Sequence, residues 1–278
     1  MREISGSQIT KTVAELCISA NIYLDPSLRQ SIEQARCKET SEPARRALDM
    51  IIENMAVAEA ERMPLCQDTG MAVVFVEIGQ DVHINGNLRE AINEGVRRGY
   101  RDGYFRASVV SDPIQRTNTG DNTPAVIHYD IVPGEHLKIT VMPKGFGSEN
   151  KSIIKMLNPS DGIEGIEATV LDAVIKAGAD PCPPIVVGIG VGGTTEKAAL
   201  LAKEALLFIH EKNPDTYWIE VESRLLAKIN ALNIGAAGLK GITTALAVRI
   251  LTYPTHIAGL PVAVNIGCHV SRHKSAIL

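Results

Sequence analysis

Three of the five cysteines in this chain stand in short segments that contain glycine or proline and are typical of loops. They are Cys66 in PLCQDTG, Cys182 in DPCPP and Cys268 in IGCHVSRH. Thiolates on separate loops can bind one [4Fe–4S] cluster, and a cluster with only three protein thiolates leaves one iron open to a substrate. Long stretches of chain separate the three residues, so their spacing does not fit a structural zinc site. The pattern predicts a metal cluster that acts in catalysis.

The other two cysteines do not fit this pattern. Cys17 falls on the apolar face of a predicted helix, so we expect it to be buried in the core. Cys37 lies between two basic residues, which indicates a surface thiol. An odd number of cysteines in a chain of this length argues against a disulfide framework.

Polar residues beside the three loop cysteines are candidates for the same chemistry. Gln67 and Asp68 directly follow Cys66, although Asp68 taken alone also fits a turn in which it hydrogen-bonds its own backbone. Arg272 lies in the cationic segment after Cys268, where it could bind an anion or simply be solvated. The prolines on both sides of Cys182 predict an extended backbone there.

Further segments have residues that could bind an anion, although each alone also fits an ordinary turn. Gly190–Thr195 leads from a predicted strand into a predicted helix, and its backbone N–H groups could face a small anion. This turn lacks the Lys-Ser/Thr ending of a P-loop and therefore fits a nucleotide site poorly. In KGFGSENK, the glycines let the backbone approach a ligand closely, with two lysines, Lys144 and Lys151, nearby. Arg106 in FRAS is another candidate.

The composition limits the class of protein. The chain has 278 residues, of which 45% are hydrophobic and 22% charged, and its net charge is −4. This balance lacks the basic excess of nucleic-acid-binding proteins. The first residues lack the apolar core of a signal peptide, and no apolar run is long enough to span a bilayer. We therefore expect a cytoplasmic protein that binds neither nucleic acid nor membrane.

The apolar periodicity predicts an α/β fold in which an N-terminal helical layer is followed by mixed sheets with packed helices. Predicted helices cover three stretches between residues 7 and 62, then 87–101, 165–177, 195–211 and 217–232; predicted strands are 71–78, 125–131, 137–142, 185–189, 243–251 and 260–265. Pro133-Gly134 predicts a hairpin between the second and third strands. We expect a single domain over residues 1–278, or two subdomains, 1–120 (helical plus the first strand) and 121–278 (α/β), with the three cysteine loops converging on one cluster site.

Five motifs together resemble one known family. CQDTG, NTGDNTPA, KGFGSENKS, DPCPP with VGIGVGGTTE, and IGCHVSRH occur in the order found in class I, iron–sulfur-dependent fumarate hydratases. The resemblance runs from about residue 8 to residue 274 and is to the alpha subunit of the two-subunit form. It implies a lyase of the tricarboxylic acid cycle that hydrates fumarate to L-malate with a [4Fe–4S] cluster on Cys66, Cys182 and Cys268.

The resemblance also implies roles for individual residues. Gln67 and Asp68 would lie at the substrate's edge of the cluster as catalytic residues. The substrate-binding residues it implies are Arg106, Gly147 and His256. Lys144 and Arg272 are added as substrate-binding candidates because of their cationic side chains. For His256 the alternative is a buried structural histidine.

Single-chain members of this family continue into a second domain that supplies further catalytic groups. Because this chain ends at Leu278, we expect it to need a separate beta subunit, to form a hetero-oligomer with it, and to be inactive alone. Three alternatives stay open: the alpha subunit of L-tartrate dehydratase, which shares the cysteine motifs, a noncatalytic iron–sulfur carrier, and a nucleotide-binding protein that uses Gly190–Thr195. GFGSENK resembles fumarases more than tartrate dehydratases and favours fumarate, a small dicarboxylate.

Overall fold

The computed structural model describes residues 2–278 and shows a mixed α/β fold. The α-helices are α1 (Gly6–Ile22), α2 (Pro26–Lys38), α3 (Glu42–Glu61), α4 (Leu88–Asp102), α5 (Phe146–Glu149), α6 (Gly162–Ala177), α7 (Thr195–Ala205) and α8 (Thr216–Asn230). The strands are β1 (Arg2–Ser5), β2 (Met71–Gly79), β3 (Val82–Asn85), β4 (Val126–Val132), β5 (Leu137–Lys144), β6 (Ile153–Leu157), β7 (Ile185–Gly192), β8 (Ala245–Tyr253), β9 (Leu260–Gly267) and β10 (Lys274–Ile277). None of the helices among residues 2–278 has the length and apolar character needed to cross a membrane.

These elements divide into two compact units, each built from separate stretches of chain. The first unit contains the chain up to Asp25, then Asn54–Phe146 and Arg272–Leu278; the second contains Pro26–Glu53 and Gly147–Ser271. The predicted N-terminal helical layer is therefore divided between the two units, because α1 belongs to the first unit and α2 to the second. The expected boundary after residue 120 does not follow this division, since β5 pairs with β2 inside the first unit.

The sheet of the first unit has the strand order β10-β5-β2-β4, and α1 and α4 pack together against it. Glycines on α4 allow the two helices to approach closely: a Cβ on Gly95 would lie 2.6 Å from Val13 Cβ, and one on Gly99 would lie 2.7 Å from Cys17 Cβ. Cys17 is fully buried, and burial raises the pKa of its thiol to about 12. The predicted core position of Cys17 is confirmed. β1 and β3 form a separate parallel pair.

The predicted hairpin at Pro133-Gly134 is wrong. β2 lies between the two strands, parallel to β4 and antiparallel to β5. The connection instead crosses the end of β2, where Gly79 N–H donates to His136 O and Asp81 N–H donates to Gly134 O. A side chain on Gly79 would collide with the Gly134 carbonyl. These contacts satisfy the backbone of the turn, so the flanking strands need not pair with each other.

The sheet of the second unit has the order β6-β9-β7-β8 and is covered on both faces. β7 is parallel to β8 and antiparallel to β9. Apolar residues of α6 and α8 pack on one face. On the other face α7 lies directly over Gly188 and Gly190 of β7. The glycines of the VGIGVGG segment therefore make room for a helix.

Replacing Gly190 with alanine is expected to destabilise the chain by about 1–3 kcal/mol, because an added methyl group overpacks a filled interior. The new Cβ would lie 2.7 Å from Ala202 N and 2.8 Å from Leu201 Cβ, and closer still to a backbone carbonyl of α7. A lowered melting temperature would show this. Gly259→Ala is the matched control, since its Cβ would meet nothing nearer than His256 O at 3.9 Å. Equal melting temperatures for the two variants would contradict the close packing of α7 on β7.

Local periodicity predicted most of these elements to within a few residues, including β2, β7, β9 and α4. The predicted helix 195–211 is shorter, because α7 ends at Ala205 and the 3₁₀ turn Leu206–Phe208 follows. β1, β3, β6 and β10 were not predicted. Cys37 is exposed on α2, as its charged neighbours indicated.

Candidate active site

The Cys66 loop in the first unit holds a carboxylate in a fixed position. Asp68 Oδ1 accepts the Gly70 N–H at 3.0 Å, and Oδ2 accepts the Phe146 N–H at 2.9 Å. The turn considered for Asp68 is therefore formed, and a second hydrogen bond ties the loop to the segment after β5. Cys66 is partly buried and Gln67 is exposed. The loop brings a thiol, an amide and a fixed carboxylate together just before β2.

Tyr100 of α4 fixes the backbone of the same loop. Its hydroxyl lies 2.7 Å from Thr69 O and 3.0 Å from Gly70 O. Burial raises the pKa of this hydroxyl above its usual range, so it stays protonated and can donate. Thr69 in turn donates its hydroxyl to Arg106 O at 3.1 Å. Arg106 therefore lies beside the Cys66 loop, with an exposed side chain.

Two buried cations belong to this part of the first unit. Arg272 is 4% exposed, and its Nη2 donates to Asp68 O at 2.5 Å. Among residues 2–278 its buried Nε has no hydrogen-bond partner. Lys144 is 5% exposed at the end of β5. A buried guanidinium N–H without a protein acceptor fits an anionic group bound at this loop.

In the second unit the Cys182 loop is held by its backbone. Cys182 N–H donates to Ala179 O at 3.0 Å, and Cys182 O lies 2.9 Å from His269 Nδ1. Because a carbonyl can only accept, Nδ1 carries the proton of this hydrogen bond. The predicted extended backbone at Cys182 is wrong, since its φ is +54°. Hydrogen bonds on both sides of the residue outweigh the preference imposed by the following proline.

Cys268 lies at the same edge of the sheet as Cys182. It follows the end of β9, where Gly267 is paired with Val186 near the start of β7. Cys268 O accepts the Ser271 N–H at 2.9 Å, which closes a turn. Through the contact of His269 with Cys182 O, the two cysteine loops of the second unit touch each other.

The glycine segment around Gly147 lies against the same loops. A Cβ on Gly147 would be 3.6 Å from Asp180 O, two residues before Cys182. Glu149 accepts hydrogen bonds from Lys203 of α7 and from Asn265 of β9, the latter at 3.1 Å. The exposed backbone of Gly147 is thus fixed beside the Cys182 loop.

The structure does not bring His256 together with the cysteines of its own unit. His256 follows the end of β8, which pairs with the far end of β7 from Cys182. Seven residue steps along β7, at about 3.3 Å each, separate the two edges by roughly 23 Å. His256 is exposed and lines a mainly apolar cavity of about 370 Å³ with Trp218 and Ile257. The alternative of a buried structural histidine does not fit this exposure.

The glycine-rich turn before α7 is occupied by a side chain of the protein itself. Glu196 accepts a hydrogen bond from the Thr194 hydroxyl at 2.6 Å. This bond, with one from the Glu196 backbone N–H, lowers the pKa of the Glu196 carboxyl. The first turn of α7 therefore already holds a carboxylate, which weakens the case for a nucleotide there.

The three loop cysteines are divided between the units, with Cys66 in the first and Cys182 and Cys268 in the second. Among residues 2–278, no group of three or more His, Cys, Asp or Glu side chains is gathered in a way that could hold a metal ion. The donor set nonetheless fits a cluster chemically, because all three thiols stand on loops and none is sealed in the core as Cys17 is.

Comparison with known proteins identifies the class of the chain. A family model described as fumarate hydratase (fumerase) matches residues 10–277. The chain is thus a hydro-lyase-type protein of mixed α/β fold. More particularly, it belongs to the fumarate hydratase family, which confirms the resemblance seen in its motifs.

Named relatives of the chain are alpha subunits. It is 45% identical, over 95% of each chain, to a protein of Methanocaldococcus jannaschii provisionally named L(+)-tartrate dehydratase subunit alpha. It is 28% identical to the L(+)-tartrate dehydratase subunit alpha of Escherichia coli and to that of Shigella boydii, over 98% of this chain and 91% of each relative. These names attach a substrate to the relatives, and that substrate is tartrate.

Sequence reasoning missed residues that are distant in sequence from the Cys66 loop but hydrogen-bond to it. Asn122 and Tyr100 are buried and hydrogen-bond the Cys66 loop from far along the chain. Asn122 lies inside a motif, NTGDNTPA, that could have pointed to it. No local pattern marks Tyr100, which looks like any aromatic residue on an apolar helix face.

Proposed function

We propose that this chain is the alpha subunit of a [4Fe–4S] hydro-lyase that hydrates fumarate to L-malate, with Cys66, Cys182 and Cys268 as the cluster ligands. When bound, such a cluster supplies an iron with an open position that acts as a Lewis acid toward oxygen ligands. The observation that carries the proposal is the loop that joins Cys66 to Asp68 beside the buried Arg272. A loop of this kind serves an anionic ligand, whereas a simple metal carrier has no need of one.

Cations of the first unit would bind the two carboxylates of the substrate. Arg106 is exposed beside the Cys66 loop, and its backbone is fixed by Thr69. Its planar guanidinium can bind a carboxylate through two parallel hydrogen bonds. Lys144 and Arg272 add positive charge in a buried setting, where charge interactions are stronger than in water. The exposed backbone of Gly147 would contribute a further contact to the substrate.

Gln67 and Asp68 would orient water and substrate. Each carboxylate oxygen of Asp68 accepts one backbone N–H and retains a lone pair for a further donor such as water. A fixed carboxylate can accept the proton released when water adds to the double bond. The exposed amide of Gln67 can donate to a substrate carboxylate. The group that delivers the proton to carbon is expected on the beta subunit.

His256 has a different place in this proposal from the other residues. It lies at the opposite edge of its sheet from Cys182, so the substrate contact that the resemblance implies for His256 has no support from the position of that cysteine loop.

The partner would be a beta subunit, as the names of the relatives suggest, and the complex would be a hetero-oligomer of alpha and beta chains. The test is anaerobic reconstitution of the chain with iron and sulfide, alone and together with its beta chain. We expect charge-transfer absorbance from the cluster and, with the beta chain, loss of fumarate absorbance at a rate on the order of 10 s⁻¹ or faster. A cluster without any turnover in the complex would instead support a carrier.

L-tartrate dehydration is the second candidate, and the tartrate dehydratase names of the relatives favour it. Removing water from tartrate also requires two carboxylates to be bound and one hydroxyl to leave. The two reactions are separated by the ratio of kcat/KM for L-tartrate and fumarate in the same reconstituted complex. A ratio above one would replace fumarate with tartrate as the substrate.

A further inference from the structure

Asn122 is a wholly buried amide that joins two segments of the first unit. Its Oδ1 accepts the Ser108 N–H at 2.8 Å, and its Nδ2 donates to Gly70 O at 3.1 Å. Ser108 lies two residues after Arg106, and Gly70 lies two residues after Asp68. One side chain thus links the segment of Arg106 to the segment of Asp68.

The Arg106 segment is held at two points. Arg106 O accepts the Thr69 hydroxyl, and two residues later Ser108 N–H binds Asn122. Both contacts come from groups that are themselves attached to the Cys66 loop. The position of the Arg106 backbone relative to Asp68 therefore depends on these hydrogen bonds, while its guanidinium stays exposed.

Asn122 is itself firmly placed. Its neighbour Asp121 accepts a hydrogen bond from Arg97 Nε at 2.9 Å. Burial alone would raise the pKa of Asp121, but hydrogen bonds from Arg97 and Thr123 outweigh it and lower the pKa to about 2. Arg97 and Tyr100, three residues apart, lie on one face of α4. The same helix face thus supports both the Asn122 segment and the Cys66 loop.

The amide of Asn122 satisfies both neighbours of this side chain. The group must accept from Ser108 N–H on one side and donate to Gly70 O on the other. An aspartate in this position would accept as before but would place a carboxylate oxygen against the Gly70 carbonyl. A buried acceptor facing another acceptor is costly, and the two segments would separate.

We propose that Asn122 is a positioning residue that sets the distance between the Arg106 guanidinium and the Asp68 carboxylate and thereby the affinity for the dicarboxylate substrate. This inference rests on the proposed function, because it takes Arg106 as the residue that binds a substrate carboxylate. The inference goes beyond the proposed function because it assigns control of KM to a residue that does not contact the substrate. The hydrogen bonds through which Asn122 would act all lie in the first unit.

The test is Asn122→Asp in the reconstituted complex of alpha and beta chains. We expect kcat/KM to fall by about 100-fold, as a displacement of about 1 Å can cause, with most of the loss in KM and with cluster absorbance unchanged. Hydrogen exchange of the cluster-free alpha chain should show faster exchange at the Ser108 amide. Parental KM and parental exchange in the variant would overturn the inference.

Controls separate positioning from general damage. Val96→Ala removes a methyl pair from the fully buried core of the same unit, so it should lower the melting temperature without changing KM. An equal KM change in Val96→Ala would mean that destabilisation alone explains the effect. If Asn122→Asp does not fold, Thr69→Val removes the other hydrogen bond to the segment and should raise KM in the same direction. An unchanged KM in folded Thr69→Val would then overturn the inference.

A double variant shows whether Asn122 acts through Arg106. If it does, adding Asn122→Asp to Arg106→Lys should change KM far less than Asn122→Asp does alone. Additive effects would contradict the inference. The parent complex is assayed first: a parent without turnover on fumarate or L-tartrate refutes the proposed function, whereas an active parent with additive variants refutes only the role of Asn122.

Discussion

Replacing Cys182 with serine is expected to remove cluster absorbance and to lower hydro-lyase activity by more than about 100-fold. Loss of a residue that merely supports a metal ligand typically costs 10–100-fold, so loss of a ligand should exceed that range. A serine hydroxyl stays protonated near neutral pH and binds iron poorly compared with a thiolate. Cys66→Ser and Cys268→Ser should have the same effect. Absorbance of the reconstituted protein and turnover with the beta chain measure it.

The fold should survive the change at Cys182. The side chain is exposed rather than packed in the core, and its sulfur lies 3.9 Å from Asp180 O. The cluster-free variant should therefore melt at the temperature of the parent. Cys37→Ser is the matched control, because Cys37 is also exposed and lies outside the motifs. If all three ligand variants take up a cluster as well as Cys37→Ser does, the three cysteines are not the ligands.

Local sequence patterns were sufficient to predict the strands that flank these cysteine loops. The alternation and length of apolar runs depend on neighbouring residues only, so β2, β7 and β9 were predicted near their observed positions. The buried face of α1 was predicted for the same reason, with Ile9, Val13 and Cys17 all in the core.

Strand pairing could not be predicted in this way. β10 pairs with β5, with Lys274 opposite Val141, although more than half of the second unit lies between them in sequence. The Lys274 segment looked like a solvated basic tail because its pairing partner is remote. The position of His256 was missed for a related reason: the strand order puts the end of β8 at the opposite edge of the sheet from Cys182. Such facts depend on contacts that no local pattern encodes.

The residue types of the candidate site could be proposed from the sequence, but the residues that hold them in place by hydrogen bonds could not. The CQDTG motif and the FRAS segment made Cys66, Asp68 and Arg106 candidates, because the chemistry of these residues is visible in their side chains. The hydrogen bonds that place them come from Tyr100 and Asn122, whose partners are distant in sequence. Residue type predicts what a group can do, whereas its position depends on tertiary contacts.

Replacing Arg272 with methionine is expected to lower kcat/KM by about 100-fold or more while leaving the melting temperature of the cluster-free chain nearly unchanged. Arg272 is buried, and within the described residues its hydrogen bond goes to a backbone carbonyl, that of Asp68. Its Nε has no protein acceptor among residues 2–278. Burying a charge under these conditions is costly, so an apolar side chain of similar length recovers much of what the lost hydrogen bond contributed.

Arg249→Met provides the contrast. Arg249 is equally buried and, among residues 2–278, its Nε also has no hydrogen-bond partner, but a carboxylate lies near its guanidinium. Arg249 is 5% exposed, its Nη1 donates to Glu211 O at 3.1 Å, and the same atom lies 3.9 Å from the Glu222 carboxylate. Removing one member of a buried ion pair typically costs about 3–5 kcal/mol. Arg249→Met should therefore melt at a clearly lower temperature and, where folded, keep the KM of the parent.

Arg272→Met is thus expected to lose activity and keep its stability, whereas Arg249→Met is expected to lose stability and keep its KM. Thermal unfolding of the cluster-free chains and steady-state kinetics of the reconstituted complexes measure both. A large loss of stability in Arg272→Met with unchanged kcat/KM would show that Arg272 is a structural residue like Arg249. The expected pattern, activity lost without stability, follows from the proposal that Arg272 binds an anionic substrate in the reconstituted complex.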